Sequence, residues 1–436
     1  MSSSSILLRN LFVETKDGEW GQAEPFDDSV EMAVIRGTDF DTAKRSRLEG
    51  VPVRHIAGKA AGRKTLQPFD ILIETAGGSK GKPTGKTTFL RPALFERSVL
   101  PITCASFARF LRIDATRADP EFVYWHLQSL YLSGVIENYQ VQHTGIARFQ
   151  FTKFADSLEI DLPPVGEQMK VSAFLGSIED RITLLRETNA TLEAIAQALF
   201  KSWFVDFDAV RARAEGLDPV GMDAATAALF PDSFEESALG LVPKGWSYVS
   251  LKEVTSIFDS QRVPLAGQER AKRKGNYPYY GAAALMDWVD GYIFDGIYLL
   301  SGEDGSVADP LGYPITQYVW GRLWVNNHAH VLQGKNGVST EHLMLSLKQT
   351  NITPFITGAV QAKLSQSNMW RINFLMPSSE IALAFGELLK PLYASLRHNT
   401  EQAQTLTRLR DTLLPRLISG QLRLPKAEEQ IEEIGV

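Results

Sequence analysis

Residues 144–164 read TGIARFQFTKFADSLEIDLPP, and residues 357–377 read TGAVQAKLSQSNMWRINFLMP. Thr144, Gly145 and Pro164 recur at one fixed offset as Thr357, Gly358 and Pro377. Each copy runs straight into a long helix-forming segment. A fixed internal period outranks any local reading of a chain. The order globular region, long helix, globular region, long helix implies two equivalent units held by two rods. Such a layout suits contact with two separated sites at once.

The rods carry the strongest periodic signal. In the first, Val171, Leu175, Ile178, Ile182, Leu185, Asn189, Leu192, Ala196, Leu199 and Trp203 alternate steps of four and three. In the second the same rhythm runs through Phe385, Leu389, Leu392, Leu396, Asn399, Ala403, Leu406, Arg410, Leu413 and Leu417. Sustained heptads of this kind make a helix–helix seam. Each seam holds one asparagine, Asn189 or Asn399, and a polar seam residue fixes register and partner at some cost in stability. The simplest reading is that the two helices pair with each other, antiparallel; the alternative is that each packs on its own domain. Pro391 and Pro415 restrict the clean second helix to about 392–414. A helix of roughly 30 residues is about 45 Å long.

These signals divide the chain into a first globular unit (1–165), a first long helix (166–215), a linker (216–243), a second unit (244–380), a second helix (381–422) and an acidic tail (423–436). The fold class is α+β: two α/β domains separated by two long helices pairing as an antiparallel coiled coil, with an internal pseudo-twofold repeat. In the first unit, FDILIETAGG (69–78) reads as a buried strand entering a glycine turn, and FVYWHLQSLYLSGVIENY (122–139) as a short helix. The second unit, rich in aromatic and β-branched residues punctuated by glycine, reads as several short strands. Trp203, Phe204 and Phe207, beside Phe200, exceed what a two-helix seam can bury, and read as a contact surface or a cap.

At 436 residues the chain exceeds one ordinary core. No apolar run reaches the length of a membrane span, and the start MSSSSILLRNLF lacks the form of a secretory signal. The single cysteine, Cys104, sits in an apolar setting, and one cysteine permits no intrachain disulfide, which points to the cytoplasm. The net charge of −6 is unevenly spread. Arg36–Arg97 holds 13 Lys and Arg against 6 Asp and Glu, and Arg262–Gly275 holds 5 against 1. Local charge sets an electrostatic footprint.

A catalytic constellation does not assemble. GSKGKPTGKTT (78–88) follows a strand as a phosphate loop would, yet Gly81 stands one residue too close to Gly85-Lys86-Thr87, and Pro83 removes a backbone donor. Asn326-Asn327-His328-Ala329-His330 offers two histidines without a third ligand, which reads as hydrogen-bonding structure. Glu303 and Asp304 lack an adjacent base or metal partner. Polar and basic clusters fit binding better. They comprise Lys80, Lys82 and Lys86; His143, Thr144, Arg148 and Gln150; Lys272, Arg273 and Lys274 with Tyr279; Asn326, Asn327 and His328; and Gln361, Lys363, Ser365 and Gln366. Side chains of these types read base edges and hold phosphates.

The stretch LPPVGEQMKVSAFLGSIEDRITLLRETNATLEAIAQALFKSWFVDF resembles the central conserved helix of type I restriction–modification specificity subunits, and LRDTLLPRLISGQL resembles the end of their distal helix. IRGTDF, FDILIETAGG and SLEIDLPPVGEQ resemble their first target-recognition domain, and GAVQAKLSQSNMWRINFLMP the close of the second. Two departures stand out: HTGIARFQ replaces a more polar turn, and SSEIALAF replaces the usual PPLxEQ. The resemblance implies a subunit without catalysis that reads a split double-stranded DNA sequence, with the helices as a ruler for the gap. It implies two modification subunits using S-adenosylmethionine to methylate adenine, docked on the outer helix faces and at Trp203, Phe204 and Phe207. It further implies restriction subunits using ATP and Mg, with no cofactor in this chain and no membrane partner. Two rivals remain: a nucleotide hydrolase built on 78–88, and a coiled-coil protein–protein adaptor.

Overall fold

The computed structural model describes residues 4–77, 83–143, 146–358 and 360–434. The chain forms two compact units. The first comprises 1–187 and 400–436, the second 188–399. Both long helices, Val165–Phe204 and Ser379–Ile418, are therefore shared, each contributing one half to each unit.

The first unit is built on a four-stranded antiparallel sheet. Its order is Phe12–Asp17, Ala108–Ile113, Ile71–Glu74, Thr87–Phe89. Ile71, Ile73 and Leu111 turn inward and are fully buried with Phe122, Trp125 and Phe154. A second sheet pairs Ser29–Ile35 antiparallel with Val53–Ala57 and parallel with Ile102–Cys104. The helix Pro120–Leu132 begins where proline can stand without a donor and where the Asp119 carboxylate accepts the Phe122 amide at 3.0 Å. The opening strand Ser4–Leu7 pairs with the closing strand Glu159–Leu162.

The second unit repeats this frame. The order Thr255–Ile257, Ala329–Gly334, Phe294–Gly302, Thr316–Val325 matches that of the first unit strand for strand. Here the sheet continues into Lys274–Tyr280 and Leu285–Val289. The helix Thr340–Lys348 is capped by Ser339, and the opening strand Ser247–Ser250 pairs with the closing strand Asn373–Met376. The segment expected as a linker contains a helix, Ala224–Leu229, and a hairpin of Phe234–Ser237 with Gly240–Pro243. Phe230 lies in the second core with Phe234 packed against it, and Val242 is buried. The expected acidic tail contains the helix Leu424–Ile434, with Ala427 buried in the first core.

Within each unit the helix halves pack antiparallel. In the first, Leu175, Ile178, Ile182 and Leu185 are buried, as are Leu406 and Leu413. In the second, Ala196, Phe200 and Trp203 meet Phe385, Leu389 and Leu396. Leu192, Leu199 and Leu392 are only half-buried, and the inward positions are Phe200 and Tyr393, as expected when a 3.6-residue helix drifts from a 3.5-residue repeat. The two asparagines do meet. Asn399 Nδ2 donates to Asn189 Oδ1 at 3.0 Å, and Asn189 Nδ2 donates to the Leu396 carbonyl at 3.0 Å. The second helix does not stop at its prolines but runs through both. Buried Leu389 and Tyr393 flank Pro391, and buried Leu413, Leu414 and Leu417 flank Pro415, so packing offsets a cost of about 3 kcal/mol per proline.

Trp203 and Phe204 correct the reading of an exposed docking face. They are 5% and 6% exposed, and their rings meet Phe385 at 5.2 and 4.8 Å. Phe207, half-buried at φ 58°, packs edge-on against Phe234 and Trp246. These aromatics fill the core where the helix enters the second unit.

Candidate nucleic-acid interface

In the first unit the hairpin of Gln140–His143 and Ile146–Phe149 lies against Ala76–Gly77, with Arg148 opposite Ala76. Gly77 has φ +148°, and a Cβ there would lie 2.6 Å from Glu74 Oε1, so the strand can enter the basic loop only through glycine. Lys80, Lys82 and Thr144, and the side chain of His143, lie outside the described residues. Arg148 and Gln150 are exposed. Lys86 Nζ pairs with Asp41 at 2.9 Å. Thr87 then enters a strand, and its hydroxyl accepts from Gln128 Nε2 at 2.7 Å. A phosphate loop needs a helix at this point, so the nucleotide-binding reading of 78–88 fails on geometry.

In the second unit the structure gathers a charged cluster beneath the repeated turn. The amide of Leu364 donates to the Glu303 carbonyl, and that of Gly305 to the Ala362 carbonyl, seating the turn on the loop after Phe294–Gly302. Lys363 Nζ lies 3.2 Å from Asp304 and 3.5 Å from Glu303, and His328 Nδ1 lies 3.8 Å from Asp304. The expected residues Asn327, His328, Gln361, Lys363 and Gln366 are exposed around this loop, while half-buried Ser365 caps the short helix Gln366–Met369. The basic triplet lies elsewhere on the sheet. Arg273 pairs with Asp290 at 2.9 Å and lies over Trp324, and Lys274 pairs with Asp287 at 2.5 Å; Lys272 is exposed.

Two expected contacts are corrected. Tyr279 is 1% exposed, and its hydroxyl accepts the Leu265 amide at 3.0 Å. Asn326 is 5% exposed, and its Oδ1 accepts the His328 amide at 2.8 Å. Tyr279, in the strand Lys274–Tyr280, holds the segment at Leu265, and Asn326, just after the strand Thr316–Val325, holds the turn at His328, both from inside.

Below the turn lies fully buried His330, which the sequence showed only as half of a short histidine pair. Its Nδ1 stands 2.6 Å from Asp259 Oδ2, and its Nε2 2.8 Å from the Leu364 carbonyl. Burial depresses an imidazole, but the Asp259 carboxylate, the Leu364 carbonyl and Glu303 outweigh it and hold His330 above its ordinary value. Arg262 Nη1 lies 2.8 Å from Glu303 and its Nη2 3.4 Å from Asp259. Ligand atoms of Asp259, Glu303 and His330 fall within 4.8 Å of one another. The Arg262 guanidinium already supplies positive charge to both carboxylates, so the cluster is an ion-pair network. Arg262 and Asp259 escaped the sequence reading because only the fold joins residues so far apart. Cys104 is buried, and burial pushes its thiol up to about 12. Among the described residues no helix is long and apolar enough to cross a membrane.

Two units on one frame, each presenting a polar turn beside its sheet and each owning half of a helix pair, define a two-headed binding protein. Residues 243–408 match the family model of the type I restriction modification DNA specificity domain. The chain is 26% identical over 328 residues to the type I restriction enzyme HindI specificity subunit of Haemophilus influenzae, covering 61% of this chain and 69% of that protein. It is 22% identical over 318 residues to the type I restriction enzyme MjaIX specificity subunit of Methanocaldococcus jannaschii, covering 69% of each. The S subunit of a type I restriction–modification system from M. genitalium shares the fold, with a TM-score of 0.56 at 17% identity over 95% of this chain and 96% of that one. Residues 243–408 thus carry a type I restriction modification DNA specificity domain, and the wider chain is similar in sequence to type I specificity subunits.

Proposed function

We propose that each unit reads one half of a split double-stranded DNA sequence, and that the helix pair fixes the gap between halves. The repeated frame carries this reading: both units have the same four-strand order and seat an equivalent closing turn on it. Arg148 and Gln150 in the first unit, and Asn327, His328, Gln361, Lys363 and Gln366 in the second, are the exposed side chains suited to base edges and phosphates. The chain supplies recognition and no chemistry of its own. Two modification subunits bring S-adenosylmethionine and methylate adenine, restriction subunits bring ATP- and Mg-dependent cleavage, and the assembly works in the cytoplasm. The modification subunits dock on outward helix faces, where Leu184, Ile195, Leu383 and Leu388 are exposed.

The ruler is tested through helix length. Seven residues inserted at matching levels of both helices add about 10 Å, or about three base-pair steps. The methylated motif should keep both half-sites and gain about three base pairs between them. A longer helix pair with an unchanged gap would sink the ruler.

A further inference from the structure

The two frames differ at one corner. In the first unit Thr15 lies opposite Leu111, and two residues outward Asp17 lies opposite Arg109. In the second unit Ile257 lies opposite Leu332, and two residues outward stand Asp259 and His330. Both corners hold an ion pair: Arg109 to Asp17 at 2.7 Å, His330 to Asp259 at 2.6 Å. Both adjoin the closing turn in the same way. The Phe149 amide donates to the Thr75 carbonyl at 2.9 Å, and the Leu364 amide to the Glu303 carbonyl at 2.9 Å. Arg109 is partly open and lies 4.7 Å over the Phe151 ring, and it stays charged at any physiological pH. His330 is buried and reaches the turn directly through the Leu364 carbonyl.

Resting on the reading above, we propose that protonated His330 is a positioning residue for the DNA-reading turn of the second unit, so that recognition by this unit, and not by the first, weakens as pH rises. Both ring nitrogens face acceptors. A neutral imidazole has one N–H and satisfies only one of them. The facing groups are Asp259 and Arg262 from the 259–262 segment, Glu303 from the loop after Phe294–Gly302, and the Leu364 carbonyl from the turn. Lys363 and Asp304 pair just outside. The raised imidazole sets the sign: the latch is complete below the ordinary 6.5 and is lost as pH climbs through the raised value.

Amide hydrogen exchange in the full chain, corrected for intrinsic rates, reads the two turns side by side between pH 6 and 9. Protection of the Leu364 amide should fall about tenfold relative to Phe149, the scale of one lost charge-assisted hydrogen bond. In His330→Gln that amide should be less protected at low pH and should lose its pH dependence. Duplexes carrying the mapped motif with one half scrambled supply the second readout. Binding that relies on the second half-site should weaken with pH, and binding that relies on the first should not. A constant Leu364 amide, or an equal decline at Phe149, overturns the latch. If the variant fails to fold, the wild-type comparison of the two amides still decides. Normal exchange behaviour with no DNA binding at all would remove the DNA reading and leave the latch standing.

Discussion

The two units grip their helices by different chemistry. At the first junction Glu179 of the first helix pairs with Lys44 of the sheet domain at 2.9 Å and with Arg410 of the second helix. Buried Gln168 adds a clamp, accepting the Asp119 amide at 2.9 Å and donating to the Pro163 carbonyl at 2.7 Å. At the second junction the level of Gln168 is taken by buried Ile381, and aromatic rings do the holding: Phe200, Phe204, Phe374 and Phe385 surround His342, and Trp203 packs on Phe385. The four-strand order is the same, so this difference between the joints lies in their side chains. What also varies is the insertion between the first and third strands, 18–70 in one unit and 258–293 in the other. In the first unit it builds a separate sheet; in the second it extends the main one.

This contrast can be broken one joint at a time. The largest effect is expected at the aromatic joint. Trp203→Ala should destabilise the second unit by about 4 kcal/mol through the cavity it leaves. Denaturant unfolding of the isolated chain would show it; a surface docking residue would leave that curve unmoved.

At the ionic joint, Glu179→Leu strands Lys44 and Arg410 without their shared partner. Burial opposes the charge on Glu179, yet the two cations hold its carboxyl below the ordinary range. The loss should be about 3 kcal/mol and confined to the first unit. Protection of amides in 71–74 should fall while that of 294–302 holds.

Acid probes both units. Burial lowers His342 to about 3 and His126 to about 4. The unfolded chain therefore takes up these protons first, and the stability present above pH 6.5 declines as pH falls. At pH 5 each costs about 2 kcal/mol. His342→Phe should remove the acid sensitivity of the second unit only, and unfolding midpoints at pH 5 and 7 would show it.

The smallest effect lies at the seam. Replacing Asn189 and Asn399 together by leucine should raise stability by about 1 kcal/mol and loosen register. Cross-links between engineered cysteines, one on each helix, should form in more than one register in the double variant and in one register in the parent.

Much of this architecture was legible in the chain. The four-three rhythm gave the helices, because burial along a seam leaves a one-dimensional trace. The repeated TG…P stretch marked equivalent closing elements, seen as the strands Glu159–Leu162 and Asn373–Met376. The candidate interface was less legible. Tyr279 and Asn326 had suitable chemistry but are buried, and residue type alone does not report whether a side chain is covered. Trp203 and Phe204 read as a contact surface or a cap, without a choice between the two, because their partners Phe230, Trp246 and Phe385 are distant in sequence. Asp259, Arg262, Glu303 and His330 meet only through the fold.

The central claim is that two equivalent units read two half-sites. It is tested most directly by a genome-wide map of N6-methyladenine in cells given this chain with its modification subunit, against cells given the modification subunit alone. The account predicts a new split motif with one fixed gap, methylated on both strands. No new methylation from a complex shown to assemble, or a motif with a single undivided half, would contradict it.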